Sequence, residues 1–283
     1  MSLVGSYVGL SKLLVAVFPV FLLAWLRFGI AAVAMLGWLR REPGAAKLAR
    51  HDRWLLFWES FLGNFLFSIC MLFGVALTSA VTAGVTMAAI PGAVALLSWA
   101  FLGERIGRRV LAGIGFAMAG IALLAVARGG GAPSASTAAE SVGQLLLLGA
   151  VLCEACYVVI GKRLTGNVSP KRISALVNLW GLALVTPFGA WAALSFDFSS
   201  VEAEAWILLV LYALAASMVT VWLWMTGLRH VPAASAGAFA VMLPISAAAV
   251  GVGVLGEAFG MAHAAAFALA LAGVVLATQP AAT

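Results

Sequence analysis

The chain has 283 residues, of which 64% are hydrophobic and only 9% charged, with a net charge of +6 and a mean hydropathy of +1.12. No water-soluble domain of this size needs so much apolar surface, so the solvent around the chain is read as lipid. The basic residues sit in short connections between apolar runs, which argues against a nucleic-acid-binding face and for a role in membrane orientation.

Ten apolar segments are predicted as membrane-spanning helices: 3–17, 19–39, 54–77, 80–102, 109–127, 143–163, 172–194, 204–226, 232–255 and 261–279. The first is short for a bilayer and is expected to be completed by residues outside this chain. It carries neither a basic leader nor a small-residue cleavage site, so it is not read as a removable signal peptide. Pro19 and Pro170 each open a span, where a missing amide donor costs little. The interval 128–142 is rich in Gly, Ser and Ala and reads as a flexible joint. The fold class expected is an all-α integral membrane protein with two five-helix halves, 1–127 and 143–283, forming one membrane domain.

A repeat relates those halves. Residues 74–107 and 227–260 align without gaps at an offset of 153, pairing Gly84 with Gly237, Pro91 with Pro244 and Gly103-Glu104 with Gly256-Glu257. Ala83/Ala236, Leu102/Leu255 and Gly120/Gly273 extend the match.

The charges say how the copies are oriented. Thirteen of the sixteen basic residues fall in connections on one side of a ten-span chain: Arg40, Arg41, Lys47, Arg50 and Arg53, then Arg105, Arg108 and Arg109, then Lys162, Arg163, Lys171 and Arg172, and finally Arg229. Arg128 is alone on the other side, with Glu140, Asp197, Glu202, Glu204 and Glu257. The positive-inside rule then puts both termini in the cytoplasm. Five spans per half is an odd number, so the halves face opposite ways. The turn after the fourth span carries three arginines that its repeat partner lacks, and the Leu77-Thr78 turn becomes Arg229-His230 in the second copy. This is the pattern of an inverted-topology repeat, whose usual purpose is alternating access to a site at the membrane midplane.

Small polar residues recur on the repeat helices. Ser60, Asn64 and Ser68 form a stripe on the third span, and Thr78, Thr82 and Thr86 form another on the fourth. The repeat matches Asn64 to Ser217, Thr82 to Ser235 and Thr86 to Phe239. Such hydroxyls either satisfy themselves on the preceding turn or line a cavity; recurrence in both halves favours a cavity from the third, fourth, eighth and ninth spans. Phe67, Met87, Phe239 and Met242 would add apolar walls, and Pro91 and Pro244 a kink or hinge at matched positions.

Intramembrane charges are functional candidates by default. Glu154 is central in the sixth span, whereas Lys12 and Arg27 lie in the outer parts of the first two. Either cation paired with Glu154 would form a structural bridge, and a lone Glu154 would offer proton coupling. Glu59 is close enough to a helix end to snorkel. Glu104 and Glu257 read as helix caps. Trp38, Trp54, Trp58, Trp191 and Trp206 read as interfacial anchors. Cys70, Cys153 and Cys156 lie in apolar segments, and the Cys153/Cys156 pair reads as small residues one turn apart rather than a metal site. The three histidines are scattered over helix ends, and no catalytic motif appears, so an enzyme is not expected, nor any cofactor or metal.

The repeated Gly…Gly…Pro…Leu-Gly-Glu pattern, the GIGFAMAGIALL run at 113–124 and the early Pro19…Leu26-Arg27-Phe28 resemble the EamA modules of the drug/metabolite transporter superfamily. The resemblance covers nearly the whole chain as two tandem modules, and within the superfamily the sequence looks most similar to bacterial aromatic amino-acid exporters. It implies a multi-pass inner-membrane exporter, acting as a monomer on amino acids or related small amphipathic metabolites, with a cavity that also takes the inner parts of the first and sixth spans. Tyr7 and Tyr157 occupy similar places in those two spans. Where the family often has Trp-Gly near the start of the first span, this chain has Val4-Gly5-Ser6. A scaffold or receptor without turnover, and a channel, are the alternative readings.

Overall fold

The structure is a computed structural model, and the residues it describes are 2–40, 48–102, 135–230, 242–256 and 260–278, with scattered positions between 108 and 123. All secondary structure among them is helical. The helices are α1 (Ser2–Val17), α2 (Val20–Ala34), α3 (Arg50–Leu77), α4 (Ala80–Phe101), α5 (Ala135–Leu164), α6 (Pro170–Leu194), α7 (Ala203–His230), α8 (Met242–Gly253) and α9 (Met261–Thr278). They correspond to the first four and last five predicted spans. The fifth span falls mostly outside the described residues.

Five of these helices, α3 to α7, are long and apolar enough to cross a membrane. At 16 residues, α1 is about 24 Å long, shorter than the roughly 30 Å hydrocarbon layer. The predicted joint is partly helical, because α5 begins at Ala135, eight residues before the expected start. Ala138, Ala139 and Glu140 are good helix formers, and they win over the Ser content of that interval.

Helix ends follow local chemistry. Pro19 stands just before α2 and Pro170 occupies the first turn of α6. Ser79 caps α4 by accepting from the Thr82 amide at 3.0 Å. Between α6 and α7, the Asp197 carboxylate accepts from the Ser199 amide and hydroxyl at 2.9 and 2.6 Å, which holds that carboxyl below the usual range.

Two helices depart from α geometry at matching places. α3 contains a π-helical segment, Glu59–Leu66, and α7 contains another, Leu214–Val219. Leu66 and Val219 are 153 positions apart, so the two segments end at equivalent residues. π segments inside α-helices concentrate at functional sites. α4 is interrupted at Ala88-Ala89, where the Ala89 amide reaches back only to Thr86, two residues before buried Pro91.

The packing is reciprocal. α2 lies against α6, and the first part of α4 against α8. α1 packs on α8 as α5 packs on α4, and α3 packs on α5 and α6 as α7 packs on α1 and α2. The main core includes Val8, Leu14, Leu22, Leu23, Met71, Leu72 and Leu147, all essentially inaccessible. Trp54, Trp58 and Trp191 are exposed on the outer surface, whereas Trp206 packs edge-on against Phe18.

Candidate functional site

A cavity of about 340 Å³ opens among α1, α2, α3, α5, α6 and α7, within the volume range of small-molecule sites. α1 supplies Leu3, Val4 and Tyr7; α2 supplies Arg27; α3 supplies Gly63, Asn64, Phe67 and Ser68. α5 contributes Glu154 and Tyr157, α6 Val177, and α7 a face running from Ala216 to Leu228 that includes Thr220, Val221 and Trp224. Three wall pairs are separated by the repeat offset of 153: Gly63/Ala216, Phe67/Thr220 and Ser68/Val221. Two more, Val4/Glu154 and Tyr7/Tyr157, are separated by 150. Matched positions from the two halves therefore face one another across a shared space.

The π segment of α3 brings the chain close at this point. A Cβ at Gly63 would stand 2.5 Å from the Tyr157 side chain, so only glycine lets α5 approach. Asn64 reaches across to α6, donating to the Val177 carbonyl at 3.1 Å. Asn178 donates to the Phe28 carbonyl at 2.9 Å, which locks α6 to α2.

Arg27 is buried, with a guanidinium that donates to the Ser68 hydroxyl at 2.5 Å. It lies 4.3 Å from the centre of the Phe28 ring and 5.9 Å from that of Tyr212, which in turn meets Tyr7 edge-on at 5.7 Å. The Ser68 hydroxyl also donates to the Asn64 carbonyl. Polar atoms without a partner gather around the same space. Arg27 Nε, Thr220 Oγ1 and Trp224 Nε1 belong to cavity residues, and Tyr212 Oη and Ser217 Oγ lie on the adjoining turns of α7. Buried donors left without protein partners are costly, and these lie in or next to the cavity wall without opening into its space.

The bridge between Glu154 and Lys12 or Arg27 does not form. Lys12 instead donates to the Val75, Ala76 and Thr78 carbonyls at 2.7, 3.2 and 2.5 Å, at the end of α3. The second half repeats this device: Lys162 donates to the Leu228 carbonyl of α7 at 2.8 Å. A cation at a helix C-terminus satisfies orphan carbonyls and offsets the helix dipole. Glu59 does not snorkel either. It is wholly buried, neither carboxyl oxygen has a hydrogen-bond partner, and Oε1 stands 2.9 Å from where a Cβ at Gly161 would be.

Of the residues singled out from the sequence, Tyr7, Asn64, Phe67, Ser68, Glu154 and Tyr157 line the cavity. Thr82, Thr86 and Met87 do not. They are buried where α4 packs on α8 and α5, and the Thr86 hydroxyl donates to the Thr82 carbonyl at 2.9 Å. Pro91 is buried and also away from the cavity. Ser217 is buried beside the wall residue Ala216 without being a wall residue. Ser235, Phe239, Glu104 and Glu257 fall outside the described residues, as do the side chains of Met242 and Pro244. Sequence reasoning passed over Arg27 as a wall, and with it Thr220, Val221 and Trp224. The repeat offset applied to Phe67 and Ser68 would have pointed to Thr220 and Val221.

Comparison with known proteins places this geometry. The model of the EamA-like transporter family matches residues 1–126 and again 141–279. The chain is similar to the uncharacterized transporter YetK of Bacillus subtilis (strain 168), with 35% identity over 275 residues, spanning 97% of this chain and 83% of that one. The uncharacterized transporter YyaM of the same organism is 25% identical over 243 residues, covering 85% of this chain and 79% of its own. A crystal structure superposes with a TM-score of 0.63 at 21% identity, covering 98% of this chain and 93% of the other, a likeness of fold alone.

Proposed function

This chain belongs to the EamA-like transporter family, and from that premise we propose that it is a secondary transporter. Its reading as a multi-pass membrane transporter follows from the family and the apolar helices. The cargo we assign is an amino acid with an aromatic or other hydrophobic side chain, or a related small amphipathic metabolite, exported across a bacterial inner membrane. The mechanism is alternating access within ten spans built as two inverted five-helix repeats, with both termini cytoplasmic.

The observation that carries this reading is the cavity wall. Gly63/Ala216, Phe67/Thr220 and Ser68/Val221 face one space from the two halves at the repeat offset. Supporting it are the reciprocal helix packing, the two π segments, the two lysine caps and the twofold match of the family model. A scaffold with two near-equivalent arrangements of its halves can open to either side by exchanging their conformations. The walls favour an amphipathic solute, since Tyr7, Phe67, Tyr157 and Trp224 are aromatic while Arg27 and Glu154 are charged.

Counterflow in proteoliposomes tests the proposal. Purified protein should give saturable flux of Phe, Trp, Thr or Met that unlabelled amino acid competes. No flux across a broad amino-acid panel would reject that cargo.

A further inference from the structure

The two halves share their scaffold, so residues present in one half alone stand out at the cavity. Tyr7 is matched to Tyr157, but Val4 is matched to Glu154. Counting from the helix-opening prolines Pro19 and Pro170, Arg27 is matched to Asn178. The cavity therefore holds one basic and one acidic side chain, each at a position where the other half has a neutral residue. Glu59, matched to Tyr212, is also charged in one half alone, but it does not line the cavity, whereas Arg27 and Glu154 do.

Their surroundings indicate what these two charges do. Both line the cavity, Arg27 is 2% and Glu154 8% exposed, and no salt bridge joins them. Arg27 gives one donor to Ser68 while its Nε is left without a partner, and Thr220 Oγ1 and Trp224 Nε1 on α7 are further buried polar atoms without one. Glu154 makes no hydrogen bond to another described residue. Tyr7, Phe67, Tyr157 and Trp224 line the same cavity.

We infer that the cavity reads both charges of a zwitterion. Arg27, positioned by Ser68, receives the carboxylate of an α-amino acid; Glu154 receives its ammonium group; and the aromatic wall takes an apolar side chain. The inference rests on the transport reading for its cargo class and adds that both charges are required. An amine without a carboxylate brings the guanidinium no anion, and an acid without an ammonium brings Glu154 no cation of its own. Truncating one partner of a buried charge pair is costly in either case.

The test uses the full chain in detergent, with equilibrium dialysis of radiolabelled L-phenylalanine or L-leucine. Competitors are the parent amino acid, its decarboxylated amine (phenethylamine or isoamylamine) and its deaminated acid (3-phenylpropionate or 4-methylpentanoate). The parent should compete about thirtyfold or more better than either analogue. Arg27→Gln should abolish discrimination against the amine while keeping discrimination against the acid, and Glu154→Gln should do the reverse. Competition by the amine equal to that of the parent overturns the role of Arg27, and equal competition by the acid overturns that of Glu154. Absence of binding by either amino acid overturns the whole inference. The wild-type comparison decides even where a variant fails to fold. Selective binding without proteoliposome flux would reject the transport reading and leave the clamp standing; flux that ignores one charge would do the opposite.

Discussion

Helices α3 and α7 have equal lengths of 28 residues, π segments ending at matched positions and a lysine on their last carbonyls. They differ in where their polar groups go. On α3, the Ser60 hydroxyl donates to Leu56 at 2.6 Å, Asn64 bonds to α6, and Ser68 holds Arg27. On α7, Tyr212, Ser217, Thr220 and Trp224 each have a polar atom without a partner. α3 uses Ser60, Asn64 and Ser68 to fix the scaffold and leaves its Glu59 carboxyl without a partner, while four α7 residues each keep a buried polar atom without one. The cavity draws on both halves, with Arg27 and Ser68 from one and Thr220 and Trp224 from the other.

The sharpest way to break this comparison is at Gly63, whose partner Ala216 already carries a Cβ. Gly63→Val should destabilise the detergent-solubilised protein by about 3 kcal/mol through overpacking on Tyr157, whereas Ala216→Gly should cost only about 1 kcal/mol. Equal thermal shifts for the two would show that the close approach at Gly63 has no special role. Next comes the matched pair Glu59 and Tyr212, buried at equivalent positions with oxygens that lack partners. Glu59→Met should stabilise by about 2 kcal/mol, since an unpartnered buried polar group costs about that much, and Tyr212→Phe, which removes a smaller neutral hydroxyl, by about 1 kcal/mol. Loss of stability in Glu59→Met would mean that its carboxyl has a partner in solution.

Much of this comparison was visible beforehand. Apolar runs and loop charges delimit the spans, and helix α7 starts and ends within four residues of the expected 204–226. The π segments were not visible, because neighbouring helices and not local composition decide where an extra residue enters a turn. The Thr78, Thr82 and Thr86 stripe has the same spacing whether a hydroxyl faces a cavity or bonds to its own helix, as Thr86 does. Arg27 was legible as a costly charge, but its contact with Ser68 spans 41 positions of sequence and only folding reveals it.

Two smaller effects sharpen the equivalence of the halves. Lys12→Met and Lys162→Met should each lower stability by about 1–2 kcal/mol, the worth of hydrogen bonds from a charged group; an effect in only one would end the symmetry of the caps. Asn64→Ala should cost about 0.6 kcal/mol, typical of an interhelical bond in a membrane protein.

The central claim is that two equivalent halves expose one cavity alternately to the two sides of the membrane. Thr220→Cys, in a background with Cys70, Cys153 and Cys156 replaced by alanine, tests it through labelling by a membrane-impermeant thiol reagent. Alternating access predicts modification from either face, with L-phenylalanine slowing the reaction from both. Modification confined to one face under all conditions, with or without amino acid, would contradict it.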